Sequence, residues 1–337
     1  MSAQIIFTSA RNCIPSWPQD VSEQFQNHAT FSFPDECLGM RLDAAMARCF
    51  PGKSRSQISQ LLRDGEIFCA GKNLRPSQRV TAGLTVLIHW PTAVEQLPRP
   101  HAMDLAILYE DEHLLAIDKA PGIAVHAAPH VAKNLVEGVL AHVNGKLAPG
   151  KENFRPGVVH RLDKDTSGVI IFAKTTLARD SLIAQFSSRS AKKTYIAIAS
   201  GVVRTLSGRI CAPIGRDPKW RTRMAVLKTG GRDACTDWQA TTDVEKNCSR
   251  FVLQPHSGRT HQIRVHLAHI GHPIFGDVLY GFCPQKYPTI PVQRVLLHAS
   301  SLQIIHPKTG ENLEIHAPLP ADMSGIFHKN SACLLPP

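Results

Sequence analysis

Apolar residues recur at helical spacing in two short segments near the start of the chain. The apolar positions of the two segments are Leu42, Ala45, Met46, Cys49 and Phe50, then Ile58, Leu61 and Leu62. Gly65 follows the second segment, where glycine commonly ends a helix. Two strand-like runs come next, EIFCAGKNL and LTVLIHW. Residues 35–90 are therefore predicted to form a compact module of two helices and a small hairpin, after an irregular extension over 1–34.

The pattern changes at a proline-containing segment. Residues 91–103, PTAVEQLPRPHAM, contain three prolines and no apolar period, so they are predicted to be a linker. Beyond them, short apolar runs typical of strands alternate with a few helical segments. We therefore predict a second, larger domain over 104–320 and a loose tail over 321–337.

A polar loop between two apolar runs is the first candidate for chemistry. It lies in HRLDKDTSGVIIFAKT, after a short strand-like run over 157–159 and before a longer one over 169–173. Arg161 and Asp163 are two residues apart and share a face if the chain is extended. A carboxylate beside an apolar strand is costly unless a cation neutralises it. Asp163 is thus either half of an ion pair that caps the strand or a reactive group on a rigid platform.

A second segment, SGRTHQIRVHLAHIGHPIFGDVLYG, offers a cation. Ile263, Leu267 and Ile270 repeat on one helical face, and Arg264 lies beside that face, where it could reach a buried anion. The same segment contains three histidines, His261, His266 and His269. Their spacing does not place all three on one helical face, so no metal site is expected.

Other chemistries lack their sequence signals. Ser167 is not within a G-x-S-x-G turn, which argues against a serine hydrolase. Neither a G-x-G-x-x-G pattern nor a Walker loop is present, so a nucleotide cofactor is not expected.

The charge of the chain indicates a polyanionic partner. The formal net charge is +11 over 337 residues, which is typical of proteins that bind nucleic acid. Between residues 41 and 80 there are eight basic residues and three acidic ones. A second basic strip at 215–232 has six basic residues, one acidic residue and Trp220, a pattern suited to an RNA backbone with one stacking surface.

Composition also bears on location. Hydrophobic residues make up 43% of the chain, as in globular proteins. No apolar run approaches the roughly 20 residues of a membrane span, and no secretory signal is evident at the start. The nine cysteines show no C-x-x-C spacing, so we expect free thiols in a cytoplasmic protein without membrane association.

The module at 35–90 resembles the alpha-L RNA-binding fold, a small domain named after a ribosomal small-subunit protein. The resemblance rests on RLD at 41–43, SRSQISQLLRDGEI at 54–67 and NLRPSQRVTAGLTVLI at 73–88. In that family the second helix and its approach present basic residues to RNA phosphates, which provide affinity with little sequence information. The residues implied here are Lys53, Arg55 and Arg63.

Four ordered motifs resemble the RluA-type pseudouridine synthases over about 104–320. They are HRLDKDTSGVIIFAKT, AKKTYIAIASG, SGRTHQIRVHLAHIGHPIFGDVLYG and LLHASSLQIIHPKTGENLEIHAPLP. The domain order is closest to the RluD-like subgroup, which modifies large-subunit ribosomal RNA. The resemblance implies an α+β fold, in which a catalytic domain with a mixed, mainly antiparallel sheet follows the small N-terminal α/β module. It also implies an enzyme that converts uridine in RNA to pseudouridine without a cofactor or a metal.

The resemblance further implies roles for four residues. The family's catalytic aspartate follows HRL and matches Asp163, not Asp165. Its active-site tyrosine matches Tyr195 in KKTYIA, and the arginine of THQIRVH matches Arg264. Arg161, in HRLD, matches the arginine that fills the gap left when the target nucleotide leaves the stack.

Two short segments depart from the family pattern and leave the RNA target open. Ala120 stands in DKAPG where proline is usual, and VHAAPH follows where VHPG is common. Since the resemblance implies that this loop frames the RNA cleft, transfer RNA stays an alternative to ribosomal RNA. A non-catalytic, ribosome-associated RNA-binding protein is a further alternative, and the joint presence of Asp163, Tyr195 and Arg264 argues against it. We expect RNA as the partner of a monomeric protein.

Overall fold

The computed structural model describes residues 28–90, 98–126, 133–150, 155–220, 222–290 and 292–326. The chain divides into two compact units, Met1–Gln96 and Leu97–Pro337. Each unit has its own hydrophobic core.

The first unit contains an antiparallel sheet and two helices. Its elements are β1 (His28–Ser32), α1 (Leu42–Cys49), α2 (Arg55–Arg63), β2 (Ile67–Cys69), β3 (Lys72–Asn73) and β4 (Thr85–His89). The strand order is β1-β4-β2-β3. Ser54 and Gln57 form a capping box at the start of α2, in which each side chain accepts a hydrogen bond from the other's backbone N–H. The two helices and the β2–β3 hairpin agree with the sequence pattern.

The irregular extension predicted over 1–34 is wrong at its C-terminal end. β1 pairs with β4 along its whole length, and Phe31 lies in the core of the first unit. The strand was missed because it is short and Phe31 is its one fully buried side chain among those described, too weak a period to detect. Residues 1–27 lie outside the described residues.

A large mixed sheet dominates the second unit. Its strands are β5 (Ala106–Glu110), β6 (Leu114–Lys119), β7 (Ser167–Ala173), β8 (Lys192–Ser200), β9 (Ser207–Cys211), β12 (Cys235–Asp243), β13 (Cys248–Pro255), β14 (Leu297–Ile305) and β15 (Asn312–His316). The order is β5-β6-β7-β14-β8-β13-β12-β9, with β15 paired to β14. Of these pairs, β7–β14 is parallel and the others are antiparallel. The predicted α+β fold with a mixed, mainly antiparallel sheet is confirmed.

Helices cover both faces of this sheet at its centre. The helices of the second unit are α3 (Leu135–His142), α4 (Thr176–Ser188), α5 (Gln262–His269) and α6 (Ala321–Ser324). Side chains of β7 alternate between two cores: Ile170 packs with residues of α3, and Ile171 packs with residues of α4. All seven residues of β7 are buried. Burial on both faces explains the unbroken apolar run VIIFA.

The short strand predicted over 157–159 is not present. Val158 forms one isolated bridge to Phe172. Gly157 adopts φ +70°, and a Cβ there would lie 2.9 Å from the Ala173 carbonyl oxygen. This backbone conformation turns the chain out of strand geometry and into the loop that carries Asp163.

Both edges of the second domain extend beyond the predicted 104–320. His101 N donates a hydrogen bond to the Glu137 carbonyl (3.0 Å), and Met103 packs on the α3 core, so the end of the predicted linker belongs to this unit. Met323 and Ile326 are buried in its core, so the tail predicted to begin at 321 is instead folded through residue 326. In both places, the packing of a few side chains into the core holds a segment that is too short to show an apolar period.

The segment between β9 and β12 leaves the sheet as a separate hairpin. It contains β10 (Ile214–Arg216) and β11 (Met224–Val226), which pair with each other. At its base, Cys211 and Cys235 lie opposite each other in the β9–β12 register and form a disulfide. The expectation that all nine cysteines are free thiols is therefore wrong for this pair, because strand pairing brings together residues 24 apart in sequence. Among the described residues, no helix is long and apolar enough to cross a membrane.

Candidate active site

A cleft of about 570 Å³ opens in the second unit and contains the motif loop. Its walls come from residues 159–166, from β8, from the turn at 257–260 and from the start of α5. Six basic side chains line it: Arg161, Arg189, Lys193, Arg232, Arg259 and Arg264. Asp163 is the one carboxylate residue among its described lining residues. A single negative group in a strongly positive cleft suits a reaction on a polyanion.

The Asp163 loop is fixed by core packing and by backbone hydrogen bonds. Leu162 is buried in the α3 core, immediately before Asp163. The Asp163 carbonyl accepts a hydrogen bond from Thr166 N (3.2 Å). Gly168, at the start of β7, adopts φ +108°, and a Cβ there would lie 2.2 Å from the Ala299 carbonyl oxygen of β14. The loop therefore ends where β7 passes close to β14, a position that only glycine fits.

Lys119 ties this loop to the segment at Ala120. Its side chain is buried, and Nζ donates to the carbonyl oxygens of Lys164 (2.9 Å), Ala120 (2.8 Å) and Ile123 (3.0 Å). Burial lowers the pKa of Lys119 to about 8. The Lys164 carbonyl also accepts from Gly122 N (2.9 Å). Ala120, the departure from the family motif, therefore contributes a backbone oxygen to the support of the Asp163 loop.

Arg264 connects Asp163 to a second carboxylate, Asp277. Its Nε and Nη2 donate to the two oxygens of Asp277 (2.7 and 2.8 Å), and Nη1 donates to Asp163 Oδ2 (3.3 Å). The Asp277 side chain is 1% exposed and that of Asp163 is 21% exposed. Burial opposes the charge of Arg264, but the bonds and charges of Asp277 and Asp163 raise its pKa above the usual range. The guanidinium is therefore a fixed cation that orients Asp163.

The sequence predicted the pairing of Arg264 with a buried anion but missed Asp277. Asp163 was interpreted either as half of an ion pair within the loop or as a reactive group. The ion pair with Arg161 does not form, because Arg161 is exposed and makes no ion pair within the described residues. A signal for Asp277 was available: it lies in FGDVLYG, and a buried arginine that reaches a reactive carboxylate needs a second acceptor for its other N–H groups.

Tyr195 lies in β8 and lines the cleft beside Asp163. Burial and the negative charge of Asp163 raise the pKa of its phenol above the usual range. At neutral pH, Tyr195 is therefore a protonated hydroxyl. It can stack on a base or donate a hydrogen bond, and it can act as a base only if its own proton is passed on.

His261 and Tyr280 complete the surroundings of Asp163. His261 Nε2 lies 3.8 Å from Asp163 Oδ2, and its Nδ1 shares a hydrogen bond with the Tyr280 hydroxyl (2.7 Å). The Tyr280 ring centroid is 5.0 Å from Arg264 Cζ. Burial lowers the pKa of His261, so the imidazole is neutral at pH 7. The sequence pattern marked His261 only as a possible metal ligand. It did not predict that His261 or Tyr280 lies beside Asp163.

The residues predicted to bind RNA in the first unit are exposed, and they differ in their partners. Lys53 Nζ lies 5.7 Å from the centroid of the Trp90 ring, and Arg63 Nη1 donates to Gln60 (3.4 Å). Arg55 Nη2 pairs with the buried carboxylate of Asp43 (3.1 Å). The same carboxylate pairs with Arg41, so part of the Arg55 charge is neutralised inside the module.

Comparison with known proteins assigns the class. The family model described as RNA pseudouridylate synthase matches residues 113–269, and the S4 domain model matches residues 40–86. The chain is 38% identical to the uncharacterized RNA pseudouridine synthase YlyB of Bacillus subtilis, over 89% of this chain and 97% of that one. This chain belongs to the RNA pseudouridine synthase family, and the predicted isomerase class is confirmed.

Two further matches are consistent with this assignment. The ribosomal large subunit pseudouridine synthase D of Xanthomonas campestris pv. campestris is 37% identical, over 87% of this chain and 90% of that one. Among solved structures, human RNA Pseudouridylate Synthase Domain Containing 1 is 25% identical with a TM-score of 0.52, and the match covers 64% of this chain and 83% of that one.

Proposed function

We propose that this enzyme converts specific uridines of large-subunit ribosomal RNA to pseudouridine in the cytoplasm, with Asp163 as the catalytic carboxylate. The observation that carries the catalytic assignment is the contact between Asp163 and Arg264 in a cleft with six basic lining residues. The ribosomal target is supported by the relative named ribosomal large subunit pseudouridine synthase D and by the S4 domain.

The reaction breaks the bond between uracil N1 and ribose C1′, turns the uracil, joins C1′ to C5 and, overall, moves one proton from C5 to N1. One carboxylate must attack or deprotonate the sugar near C1′, and it must be ionised and partly desolvated to do so. Arg264 supplies the counter-charge, since its guanidinium lies 3.3 Å from an Asp163 carboxylate whose side chain is 21% exposed. The target base must leave its stack to reach Asp163, and the ring of Tyr195 offers a surface for it.

The direct test is to map pseudouridines in ribosomal RNA from cells with and without this protein, by carbodiimide-dependent stops of reverse transcription. We expect one or a few stops in large-subunit RNA to disappear without the protein and to return when it is restored. Restoration of the Asp163→Asn variant is the matched control and should leave the stops absent. An unchanged map of large-subunit RNA, with changes in transfer RNA, would reassign the substrate but not the chemistry.

Arg161 is proposed to fill the space left by the extruded nucleotide. It is exposed, lines the cleft and forms no ion pair with any described residue, so its guanidinium is available to RNA. Because extrusion costs a few kcal/mol, Arg161→Ala should slow turnover of a paired target by about tenfold to a hundredfold while RNA affinity changes little. Single-turnover rates on a target that is already unpaired should be largely restored. Equal losses on paired and unpaired targets would contradict this role.

The S4 unit is proposed to supply RNA affinity and no catalytic group. Its core is separate from that of the second unit, so deletion of residues 1–96 should leave the catalytic domain folded. If Lys53, Arg55 and Arg63 each neutralise one phosphate, the deletion should flatten the slope of log affinity against log salt by roughly two to three units. The truncated enzyme should still modify a short RNA at high concentration. An unchanged slope together with unchanged activity on ribosomal RNA would show that this unit does not bind the substrate.

A further inference from the structure

Three arginines from separate elements line the cleft and form no ion pair with a described residue. Arg189 ends α4, Arg232 precedes β12 and is bridged to Ile214, and Arg259 lies in the turn before α5. All three side chains line the cleft. We call Arg189, Arg232 and Arg259 the arginine triad. Within the described ranges, none of the three forms an ion pair, whereas Arg264 in the same cleft has two carboxylate partners.

The triad is held in place by bonds that leave its charge unneutralised. Arg259 Nε donates to the Asp233 carbonyl oxygen (3.2 Å), and Arg259 N donates to Gln262 Oε1 (3.1 Å). Ser257 Oγ donates to the same Gln262 oxygen (2.7 Å), so the turn is rigid. Burial, followed by the positive charges of Arg232 and Arg189, lowers the pKa of Arg259. The Asp233 carboxylate opposes this lowering only in part, since the net direction stays downward. Like charges held together repel each other, and a bound anion would relieve the repulsion that remains.

The backbone beside the triad is also open to a ligand. Gly258, between Ser257 and Arg259, lines the cleft, and a Cβ built there meets only Lys193 Nζ at 4.0 Å. Lys193 donates to the Ser257 carbonyl (3.3 Å). A group that approaches this turn therefore encounters bare backbone, an ammonium and three guanidinium groups.

We infer that the arginine triad binds one phosphodiester of the RNA strand, at the target uridine or the nucleotide next to it. This inference rests on the proposed function, because the strand must enter the cleft that contains Asp163. Guanidinium groups match phosphate oxygens in planar, two-pronged geometry, and three of them can contact one phosphate from different sides. Binding of that phosphate fixes the ribose relative to Asp163, which general basic surface charge would not do.

The test uses the full-length protein and an RNA fragment from the large subunit in which single phosphates around the target are replaced by neutral methylphosphonates. For the wild type, one position should weaken binding by about tenfold, as expected for the loss of one charge-assisted contact, and neighbouring positions should matter less. Arg232→Gln should weaken binding of unmodified RNA, and the further loss at that position should be smaller than in the wild type because two arginines of the triad are left. Arg189→Gln should do likewise. Both side chains are exposed and free of ion pairs with described residues, so these variants should fold.

The matched control is Lys308→Gln, which removes one exposed positive charge outside the cleft and should keep the full sensitivity to the methylphosphonate. Binding is also measured in the Asp163→Asn background, so that loss of turnover does not enter the result. If the wild-type enzyme modifies no uridine but the coupling between the triad and that phosphate is observed, the phosphate site is upheld and the proposed function is refuted. Equal losses at every phosphate in variant and wild type, or unchanged affinity of the triad variants, would overturn the inference.

Discussion

Asp163→Asn should abolish isomerisation while the protein stays folded and continues to bind RNA. The change keeps the shape of the side chain and removes its negative charge, and loss of an essential nucleophile costs about three or more orders of magnitude in rate. The fold should survive because Arg264 keeps both of its hydrogen bonds to Asp277. Single-turnover formation of pseudouridine, RNA affinity and the urea unfolding midpoint should be compared with those of the wild type.

The matched control is Asp165→Asn, two residues further along the same loop. Asp165 is exposed, and its backbone carbonyl accepts a hydrogen bond from Arg294 (3.5 Å). The substitution leaves that carbonyl in place, so the rate should change by less than about threefold, as for most surface substitutions. Near-normal turnover of Asp163→Asn, or an equally severe loss in Asp165→Asn, would show that the catalytic carboxylate is wrongly assigned.

Replacement of Arg264 should damage both stability and catalysis. In Arg264→Met, the carboxylate of Asp277 is left buried without a cation, and such breakage of a buried pair costs roughly 3–5 kcal/mol of unfolding free energy. Asp163 loses its fixed cation at the same time, so the turnover rate should also fall by orders of magnitude. Urea unfolding and single-turnover rates measure the two effects independently.

A double variant separates these effects. Arg264→Met with Asp277→Val removes both members of the buried pair and fills the space with apolar groups, which is often neutral for stability. Most of the lost unfolding free energy should therefore return, while turnover should stay low because Asp163 still lacks its cation. Recovery of turnover in the double variant would mean that Arg264 acts on the fold alone.

The parts of the fold with a strong local period were predictable from the sequence. The helices of the first unit and the β7 strand have apolar patterns that local spacing determines, and both are present. β1 and the segment at 321–326 depend on one or two docked side chains, so their position is set by the partner surface and not by their own pattern. Tertiary contacts decide such short elements.

The candidate site likewise contains residues that the sequence predicted and residues that it did not. Asp163, Tyr195 and Arg264 lie in motifs, and the structure brings all three to one cleft. Asp277 was not predicted although its motif offered a signal. The arginine triad was not predicted because its function depends on which side chains meet in space. Arg189 and Arg259 are 70 residues apart in the chain numbering, yet they share one cleft. No sequence period predicts that these two arginines line the same cleft, because the strand order of the sheet brings them together.

The hairpin between β9 and β12 is held at its base and by β11, whose Met224 and Val226 pack with Val265 of α5. Strand pairing and the Cys211–Cys235 disulfide close the segment at its base, and β10 and β11 pair with each other rather than with the large sheet. Each doubling of the length of a flexible closed loop costs only about 0.6 kcal/mol. Residues can therefore be inserted, deleted or exchanged at the hairpin tip, around Trp220, with little cost to the sheet that carries Asp163. Sequence changes at the hairpin tip can therefore adapt the enzyme to a new RNA while the residues around Asp163 stay unchanged.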